Sequence, residues 1–508
     1  LFMNHFFTQI SKKWKLEWPA LGLCLLSVFA TMFAIHAYYF FGFSMGHDSG
    51  YLHNSFTGIT TGRFVGEFFH SLVLGKLQMP FLIGLYEVLH ITLIAYLVIR
   101  MLGIRSKYTM VLMAIVLAAS PALISLNNLM HNAYAYSLGM LFATFGAYLA
   151  VSKKWYANLS AIVFIALGTA CYQSNLTLAV SLLALCILKH IHEEDSSSRS
   201  IFLHIVKTVC IAVLSLLVYL ALWDFVLQAN ASAKSSYLGM NNQSIPSIKQ
   251  LLYYIYEEYF DTLRELFRPG FCSYTPRYIN IIHGTALIYA IWTSTAGLFR
   301  QKDRIPKLLA FFLVLIFMPL LINLTRVLSR NMANQLLIKF SFVVFPLMIL
   351  FLVDRYANHH YTSSNLISFT LVCLLFLNSL YGGNVTATKR RYEYETGISI
   401  ATQTLARLQS YPGYTPDKRV MFIGIPEIKY PGTGFDWCKD VTGANYSSSM
   451  NYHLPIKAVL DRLSPFQKFE AIDLKYLRHE KVLELDLFPA QNCITEIDDI
   501  YIIRYSNW

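Results

Sequence analysis

The segment from Phe40 to Leu72 reads FFGFSMGHDSGYLHNSFTGITTGRFVGEFFHSL and gathers groups that could do chemistry. Its carboxylates are Asp48 and Glu67, and its arginine is Arg63. A carboxylate can take a proton from an attacking hydroxyl, and a guanidinium can hold a phosphate through paired hydrogen bonds. These types therefore indicate a site that transfers a group from a phosphate to a hydroxyl. The simpler alternative is that Asp48 caps a short surface helix that begins in SGYLHNSF.

A second set of polar residues lies far along the chain, in NLTRVLSRNMANQ. Arg326 and Arg330 are four residues apart, so on a helix they share one face. We expect them to hold a phosphate; the alternative is that they reach to lipid headgroups from the end of a span. The remaining candidates for substrate binding are His47, His131, Tyr172 and Gln173.

The composition indicates the class of fold that positions these residues. Hydrophobic residues make up 55% of the 508 and charged residues only 14%, whereas a soluble domain carries about 25% charged residues. Apolar runs close to the roughly 20 residues that cross a bilayer recur from Trp18 to Leu380. The sequence therefore predicts a polytopic α-helical membrane protein. We expect eleven spans, at 19–41, 80–102, 109–126, 133–152, 156–172, 175–190, 203–227, 280–299, 307–325, 337–354 and 364–381.

The lysines and arginines of the short loops predict the orientation. They fall at alternate connections, whereas the connections at 127–132 and 173–175 carry none. Cytoplasmic loops carry the excess of these residues, so we expect a cytoplasmic N-terminus. The net charge of +12 is then a feature of membrane topology, and we expect no nucleic-acid partner. An odd number of spans places the C-terminal region on the outer face, with the loops 42–79 and 228–279.

The chain divides into a transmembrane domain at 1–385 and a C-terminal α/β domain at 386–508. In the second part, KRVMFIGIP and IDDIYIIRYS are typical of buried strands, and YETGISIATQTLARLQSYPGY and PIKAVLDRLSPF of helices. The stretch from Ile248 to Phe267 predicts an amphipathic helix on the membrane surface. Cys438 and Cys493 could pair if the outer compartment is oxidising, and the sequence leaves that question open.

The sequence contains no phosphate-binding loop, no dinucleotide fingerprint and no zinc-ligand spacing. Because arginines can stabilise a phosphate leaving group as a metal would, we expect neither a metal nor another cofactor.

Taken in order, these motifs resemble the GtrII-like family of serotype-converting O-antigen glucosyltransferases of bacteria and their phages. This family belongs to the GT-C class of membrane glycosyltransferases. The resemblance covers nearly the whole chain and depends on HDSGYLHNSFTGITTGRFVGEFF, ACYQSNLTLAV, LTRVLSR and the terminal IDDIYIIRYS. It implies a bacterial inner-membrane enzyme with interfacial helices in the first periplasmic loop. It also implies a polyprenyl-phosphate-glucose donor, an O-antigen polysaccharide acceptor and two functional partners, a glucosyltransferase that makes the donor and a flippase that turns it outward.

The resemblance also implies roles for particular residues. The essential acid of the first outer loop corresponds to Asp48, but the second, adjacent acid usual in the family is replaced here by His47 or Ser49. That departure leaves Glu67 as a second candidate for the base. We expect one inverting displacement, with Arg326 and Arg330 on the lipid phosphate, Arg63 as a further ligand, and the C-terminal domain recognising the acceptor.

Other functions remain open at this point. A transporter or flippase of a lipid-linked substrate would place charged groups inside the spans. A second enzyme of the same class could pass another sugar, such as aminoarabinose or mannose, to a lipid. A sensor could bind a ligand with its C-terminal domain.

Overall fold

The computed structural model describes residues 17–41, 58–75, 79–235, 247–267, 277–328, 335–356, 361–426, 453–464, 467–471 and 476–506. The chain is mainly helical up to residue 409 and contains a small sheet beyond it. The predicted disulfide partner Cys438 lies outside the described residues, so its pairing with Cys493 stays a prediction.

The helices of the first part follow one another with short connections. Their bounds are α1 Trp18–Phe41, α2 Phe64–Leu74, α3 Pro80–Leu102, α4 Lys107–Ala118, α5 Pro121–Asn127, α6 Met130–Ala150, α7 Trp155–Cys171, α8 Ser174–Ile191, α9 Ser198–Ala229, α10 Ile248–Phe267, α11 Arg277–Phe299, α12 Arg304–Ile322, α13 Leu324–Leu328, α14 Val344–Tyr356 and α15 Tyr361–Gln409. Two 3₁₀ turns, at Leu336–Ile338 and Phe340–Val343, precede α14.

The protein is a polytopic membrane protein. Within the described ranges, eight helices are long and apolar enough to cross a bilayer, or nine if α4 and α5, which meet at a bend of 41°, form one span. Two of the eleven expected spans are not among these nine. The helix α7 has 17 residues, and the expected span 337–354 consists of 3₁₀ turns followed by the 13 residues of α14. At 1.5 Å per residue α14 is about 20 Å long, and the count of eleven therefore stays a prediction.

Small residues bring α6 and α7 close together. A Cβ atom added to Gly168 would lie 2.7 Å from the carbonyl oxygen of Gly139 and 2.8 Å from the amide nitrogen of Ala143. One added to Gly146 would lie 2.6 Å from a side-chain carbon of Ile165. Helices in membranes associate through such contacts, because lipid supplies no hydrophobic drive for them to do so. This tight pair fixes the two helix ends that carry the candidate residues.

The helix α10 turns its apolar side away from the protein. Ile248, Leu252, Tyr256 and Phe260, each four residues apart, are exposed, and the opposite face buries Glu258, Thr262 and Leu266. An exposed apolar stripe of this kind is typical of helices that lie in a membrane interface. The predicted amphipathic helix is confirmed with the same bounds, and its location on the membrane surface stays a prediction.

Beyond α15 the chain forms a four-stranded sheet. Its strands are β1 Arg419–Ile423, β2 Lys468–Ala471, β3 Ile494–Ile497 and β4 Ile500–Arg504, and its helices are α16 His453–Leu463 and α17 Glu480–Leu483. The strand order is β2-β1-β4-β3, with β1 parallel to both its neighbours and β3 antiparallel to β4. The predicted strands and helices are present. The predicted boundary at 385/386 falls inside α15, and the assignment of this region as a separate periplasmic domain stays a prediction.

Candidate active site

The turn that precedes α2 contains the glycine–arginine pair of the first loop. Gly62 has φ +78°, a conformation that glycine adopts without strain. A Cβ atom at this position would lie 2.3 Å from the hydroxyl of Tyr219 on α9. Glycine is therefore required both by the backbone conformation and by the close approach of α9.

Side chains from two other helices hold this turn through its carbonyl oxygens. The amide nitrogen of Gln173 donates to the carbonyl of Thr61 at 2.5 Å and lies 3.2 Å from the hydroxyl of Tyr219. The indole nitrogen of Trp223 donates to the carbonyl of Ile59 at 2.8 Å. The end of the first outer loop is thus fixed against the connection between α7 and α8 and against α9.

Glu67, one of the two predicted acids, binds the backbone of this same turn. Its Oε2 accepts hydrogen bonds from the backbone nitrogens of Gly58 at 2.7 Å and Ile59 at 3.0 Å. The residue lies one turn into α2 and is half-buried. At least one of its carboxylate oxygens is therefore engaged in holding the loop, which is the work of a positioning residue.

Arg63 lies among aromatic rings. Its Nη1 donates to the hydroxyl of Tyr136 at 2.6 Å, and its guanidinium carbon lies 4.9 Å from the ring centre of Tyr172. The two tyrosine rings stack on each other at 3.9 Å with an interplanar angle of 12°. Only 9% of Arg63 is exposed. A guanidinium over an aromatic face keeps its charge and loses much of its water, which strengthens any contact it makes with an anion.

Arg326 lies in a second polar group, between α13 and α10. Its Nη2 is 2.9 Å from Oε1 of Glu258, and its Nε is 3.4 Å from Oε2 of the same residue. Asn323 donates to that carboxylate at 3.3 Å and to the hydroxyl of Thr262 at 2.9 Å. The side chains of Arg326 and Glu258 are 15% and 6% exposed. A donor phosphate would therefore share this guanidinium with Glu258.

The first turn of α8 connects the two groups. Gln173 precedes α8 and holds Thr61, as described above, while Thr177 makes a 2.5 Å hydroxyl contact with Thr325. The backbone nitrogen of Thr325 also donates to the hydroxyl of Thr177 at 3.1 Å. Gln173 and Thr177 are four residues apart, which is about 6 Å along a helix axis, so Arg63 and Arg326 belong to the same end of the helix bundle.

A third polar group, which the sequence interpretation missed, lies two turns inside α3. Glu87 is fully buried, and in the described part of the chain neither of its carboxylate oxygens has a hydrogen-bond partner, although the amide of Asn127 lies nearby. That amide is 3.2 Å from Nδ1 of His36. Arg390 donates to the carbonyl of Asn127 and to Oδ1 of Asn128, both at 2.9 Å. This third group lies near the C-terminal ends of α1 and α5 and near the N-terminal end of α3.

The signal for Glu87 was present in the sequence, as a single acid within the apolar run PFLIGLYEVLHITLIAYL. The sequence interpretation did not use it. An ionisable residue inside a span is expensive and usually serves a function. Glu258 was also missed, because nothing in the sequence relates it to an arginine 68 residues later.

Several predicted residues cannot be located. His47, Asp48 and Arg330 lie outside the described residues, and His131 is within α6 but its side chain is not described. The structure brings Arg63, Glu67, Tyr172 and Gln173 together around one turn. In the described ranges, no group of three or more His, Cys, Asp or Glu side chains is arranged to hold a metal ion.

Comparison with protein families identifies the chain. The family model described as Glucosyl transferase GtrII matches residues 37–353, which is more than half of the 508 residues. The chain belongs to the GtrII glucosyl transferase family. The GtrII match runs from the end of α1 into α14 and includes all three polar groups except His36 and Arg390. No curated protein and no solved structure gave a significant match.

Membership in the GtrII family makes the chain a membrane glucosyltransferase, an enzyme with a sugar donor and an acceptor. The family match ends before α15, so the C-terminal sheet lies outside it.

Proposed function

We propose that the enzyme transfers glucose from polyprenyl-phosphate-glucose to a hydroxyl of the O-antigen repeat at the periplasmic face of the bacterial inner membrane. The observation that carries the proposal is the placement of Arg63 and Arg326 at one end of the bundle, next to the loop that contains Asp48. A lipid-linked phosphate lies at the membrane surface, and a pair of cations at one end of a membrane-spanning bundle suits its binding there. The lysine and arginine distribution supports the assignment of this end to the periplasm.

In the proposed reaction, Asp48 removes the proton of the acceptor hydroxyl as its oxygen attacks C1 of the glucose. The new bond from C1 to the acceptor oxygen forms as the bond from C1 to the phosphate oxygen breaks, so the configuration at C1 inverts. The departing electron pair remains on polyprenyl phosphate, and the proton remains on Asp48. Arg63, Arg326 and Arg330 stabilise the charge that grows on that phosphate.

The structure supports a division of labour between the two acids. Because Glu67 already binds two backbone amides of the turn, we assign it to positioning Arg63 and Asp48 to the base. Tyr172 and Gln173 support the same turn, and His47 and His131 are proposed to contact the sugars. The C-terminal region is proposed to recognise the acceptor polysaccharide. A donor-synthesising glucosyltransferase and a flippase would supply the donor at this face, and the proposal includes no metal or other cofactor.

The experiment compares O-polysaccharide composition in cells that make the wild type, Asp48→Asn or Asp48→Glu at matched membrane levels. We expect glucosylated polysaccharide with the wild type and none with Asp48→Asn, because an amide cannot accept the proton. Full glucosylation by Asp48→Asn would contradict the assignment of the base. Unmodified polysaccharide with the wild type, in a host shown to hold donor and acceptor, would contradict the proposed substrates.

A further inference from the structure

The far end of the helix bundle contains a cavity that the transfer reaction does not use. Its volume is about 550 Å³, and it lies between the last two turns of α11, the end of α14 and the connection from α8 to α9. The lining residues that matter here are Glu194, Trp292, Gly297, Arg300, Gln301 and Tyr356.

The cavity lies at the depth of the opposite membrane surface. The helix α8 begins next to the turn that holds Arg63 and has 18 residues, ending at Ile191. At 1.5 Å per residue that length is about 27 Å, close to the roughly 30 Å of a hydrocarbon core. Trp292 is 66% exposed beside the cavity, and tryptophan is enriched at the headgroup level of membranes.

Two opposite charges face this cavity without being paired. In the described part of the chain, the side chains of Arg300 and Glu194 form no ion pair and no hydrogen bond. Their neighbours are engaged: the ammonium of Lys307 is 2.9 Å from Oε1 of Gln301 and 2.8 Å from the carbonyl of Glu193. Among the described lining residues, the exposed guanidinium of Arg300 and the exposed carboxylate of Glu194 thus remain available for a ligand.

Tyr356 adds a third polar side chain to the cavity wall. Its hydroxyl oxygen is buried and has no hydrogen-bond partner in the described ranges. The ring packs so closely on α11 that a Cβ atom at Gly297 would lie 1.9 Å from it. Leaving a buried hydroxyl unpaired costs about 1–3 kcal/mol, a cost that an oxygen acceptor within the cavity would remove.

We propose that this cavity binds the headgroup of a zwitterionic phospholipid that carries a phosphate and a primary ammonium, as phosphatidylethanolamine does. Arg300 and the Tyr356 hydroxyl bind the phosphate, and Glu194 binds the ammonium. Trp292 contacts the start of the acyl chains. A lipid that carries only negative charge would meet Glu194 without compensation, and a free phosphate would leave both Glu194 and the apolar rim without a partner.

The test uses the full-length protein purified in detergent, with lipid retention counted by native mass spectrometry. Phosphatidylethanolamine, phosphatidylglycerol, glycerophosphoethanolamine and inorganic phosphate are each added at equal concentration. We expect one phosphatidylethanolamine molecule to be retained about tenfold more strongly than phosphatidylglycerol, as one lost charged contact implies. Arg300→Ala and Glu194→Gln should each lower that retention about tenfold, and Tyr356→Phe by a smaller factor.

Lys302→Ala is the matched control, because Lys302 is an exposed cation next to the cavity but does not line it. Glu194→Gln and Tyr356→Phe preserve side-chain shape, so a folding defect in Arg300→Ala would not decide the outcome. Equal retention of the two phospholipids, or the same loss in Lys302→Ala as in Arg300→Ala, would overturn the proposal. Binding of glycerophosphoethanolamine or phosphate as strong as that of the whole lipid would assign the cavity to a soluble ligand and also overturn it.

Discussion

Arg63 is the residue on which the candidate active site depends most. It donates to Tyr136 and lies over Tyr172, so its position and its partial dehydration both come from the aromatic pair. Lysine at this position would keep the charge, but it lacks the planar group that stacks and forms paired hydrogen bonds.

We therefore predict that Arg63→Lys lowers glucosyl transfer at least tenfold, the factor that corresponds to about 1.4 kcal/mol. The measurement is the initial rate at several donor concentrations. Tyr136→Phe is the comparison, because it removes the 2.6 Å hydrogen bond and keeps the ring. We expect it to retain more activity than Arg63→Lys. A rate for Arg63→Lys equal to that of the wild type would show that the guanidinium does not contact the donor.

Glu67 offers a test that separates positioning from proton transfer. Glutamine retains an oxygen that can accept from the backbone nitrogens of Gly58 and Ile59, whereas alanine does not. We predict that Glu67→Gln keeps a substantial part of the activity and that Glu67→Ala loses most of it, with two hydrogen bonds to a charged group lost at about 1.5–3 kcal/mol each.

Rates of both variants at matched membrane levels decide between the roles. Equal and complete inactivity of Glu67→Gln and Glu67→Ala, together with activity in Asp48→Asn, would make Glu67 the base.

Glu87 is a buried carboxylate inside α3 with the amide of Asn127 nearby and no ion pair in the described part of the chain, so we expect it to reduce stability and to be retained for function. We predict that Glu87→Met leaves the thermal midpoint unchanged or raises it, because an apolar side chain fits this environment better. Glucosyl transfer by the same variant should fall. Thermal unfolding in detergent and the transfer rate are measured on one preparation. A lower midpoint with unchanged transfer would mean that Glu87 stabilises the fold and has no part in the reaction.

At the scale of elements, the turn of residues 58–63 is the part that the rest of the bundle holds in place. Gly62→Ala places a methyl group against the hydroxyl of Tyr219 and strains a backbone at φ +78°. We predict a strong loss of transfer at unchanged membrane levels. Tyr219→Phe in the same chain should restore part of it, because the clashing oxygen is removed while the strain persists. No recovery in the double variant would contradict the clash with the Tyr219 hydroxyl as a cause of the loss.

The sequence predicts some elements much better than others, for physical reasons. The amphipathic period of α10 is local, so its bounds from Ile248 to Phe267 could be predicted from spacing alone. The expected span 337–354 begins instead with 3₁₀ turns, in a segment where Lys339 forms a 2.7 Å ion pair with Glu265 of α10. A contact between residues 74 positions apart cannot be predicted from local hydropathy.

The candidate site shows the same contrast. Arg63, Tyr172 and Gln173 could be predicted as candidate site residues, Arg63 because it lies in the polar first loop and the other two because they are polar next to a predicted span. Their mutual contacts, and the pairing of Arg326 with Glu258, depend on how four helices pack and could not be predicted.

At the scale of the whole molecule, polar groups lie at both ends of the bundle and differ in kind. The end that carries Arg63 and Arg326 has cations buried among aromatic rings and carboxylates, as the proposed binding of a phosphate leaving group requires. The opposite end has Arg300 and Glu194 facing an open cavity. The helix α15, with 49 residues, extends from the membrane part to the C-terminal sheet. This difference between the two ends predicts that glucosyl transfer takes place only at the end that carries Arg63 and Arg326.

The most direct test of the central claim uses the purified enzyme in proteoliposomes, with glucose labelled in the donor. Polyprenyl-phosphate-glucose and a nucleotide-activated glucose are supplied in parallel with O-antigen polysaccharide on the accessible outer face. We predict that label enters the polysaccharide from the lipid-linked donor and not from the nucleotide sugar, and that Asp48→Asn abolishes the transfer. Transfer from the nucleotide sugar without the lipid-linked donor would contradict the account.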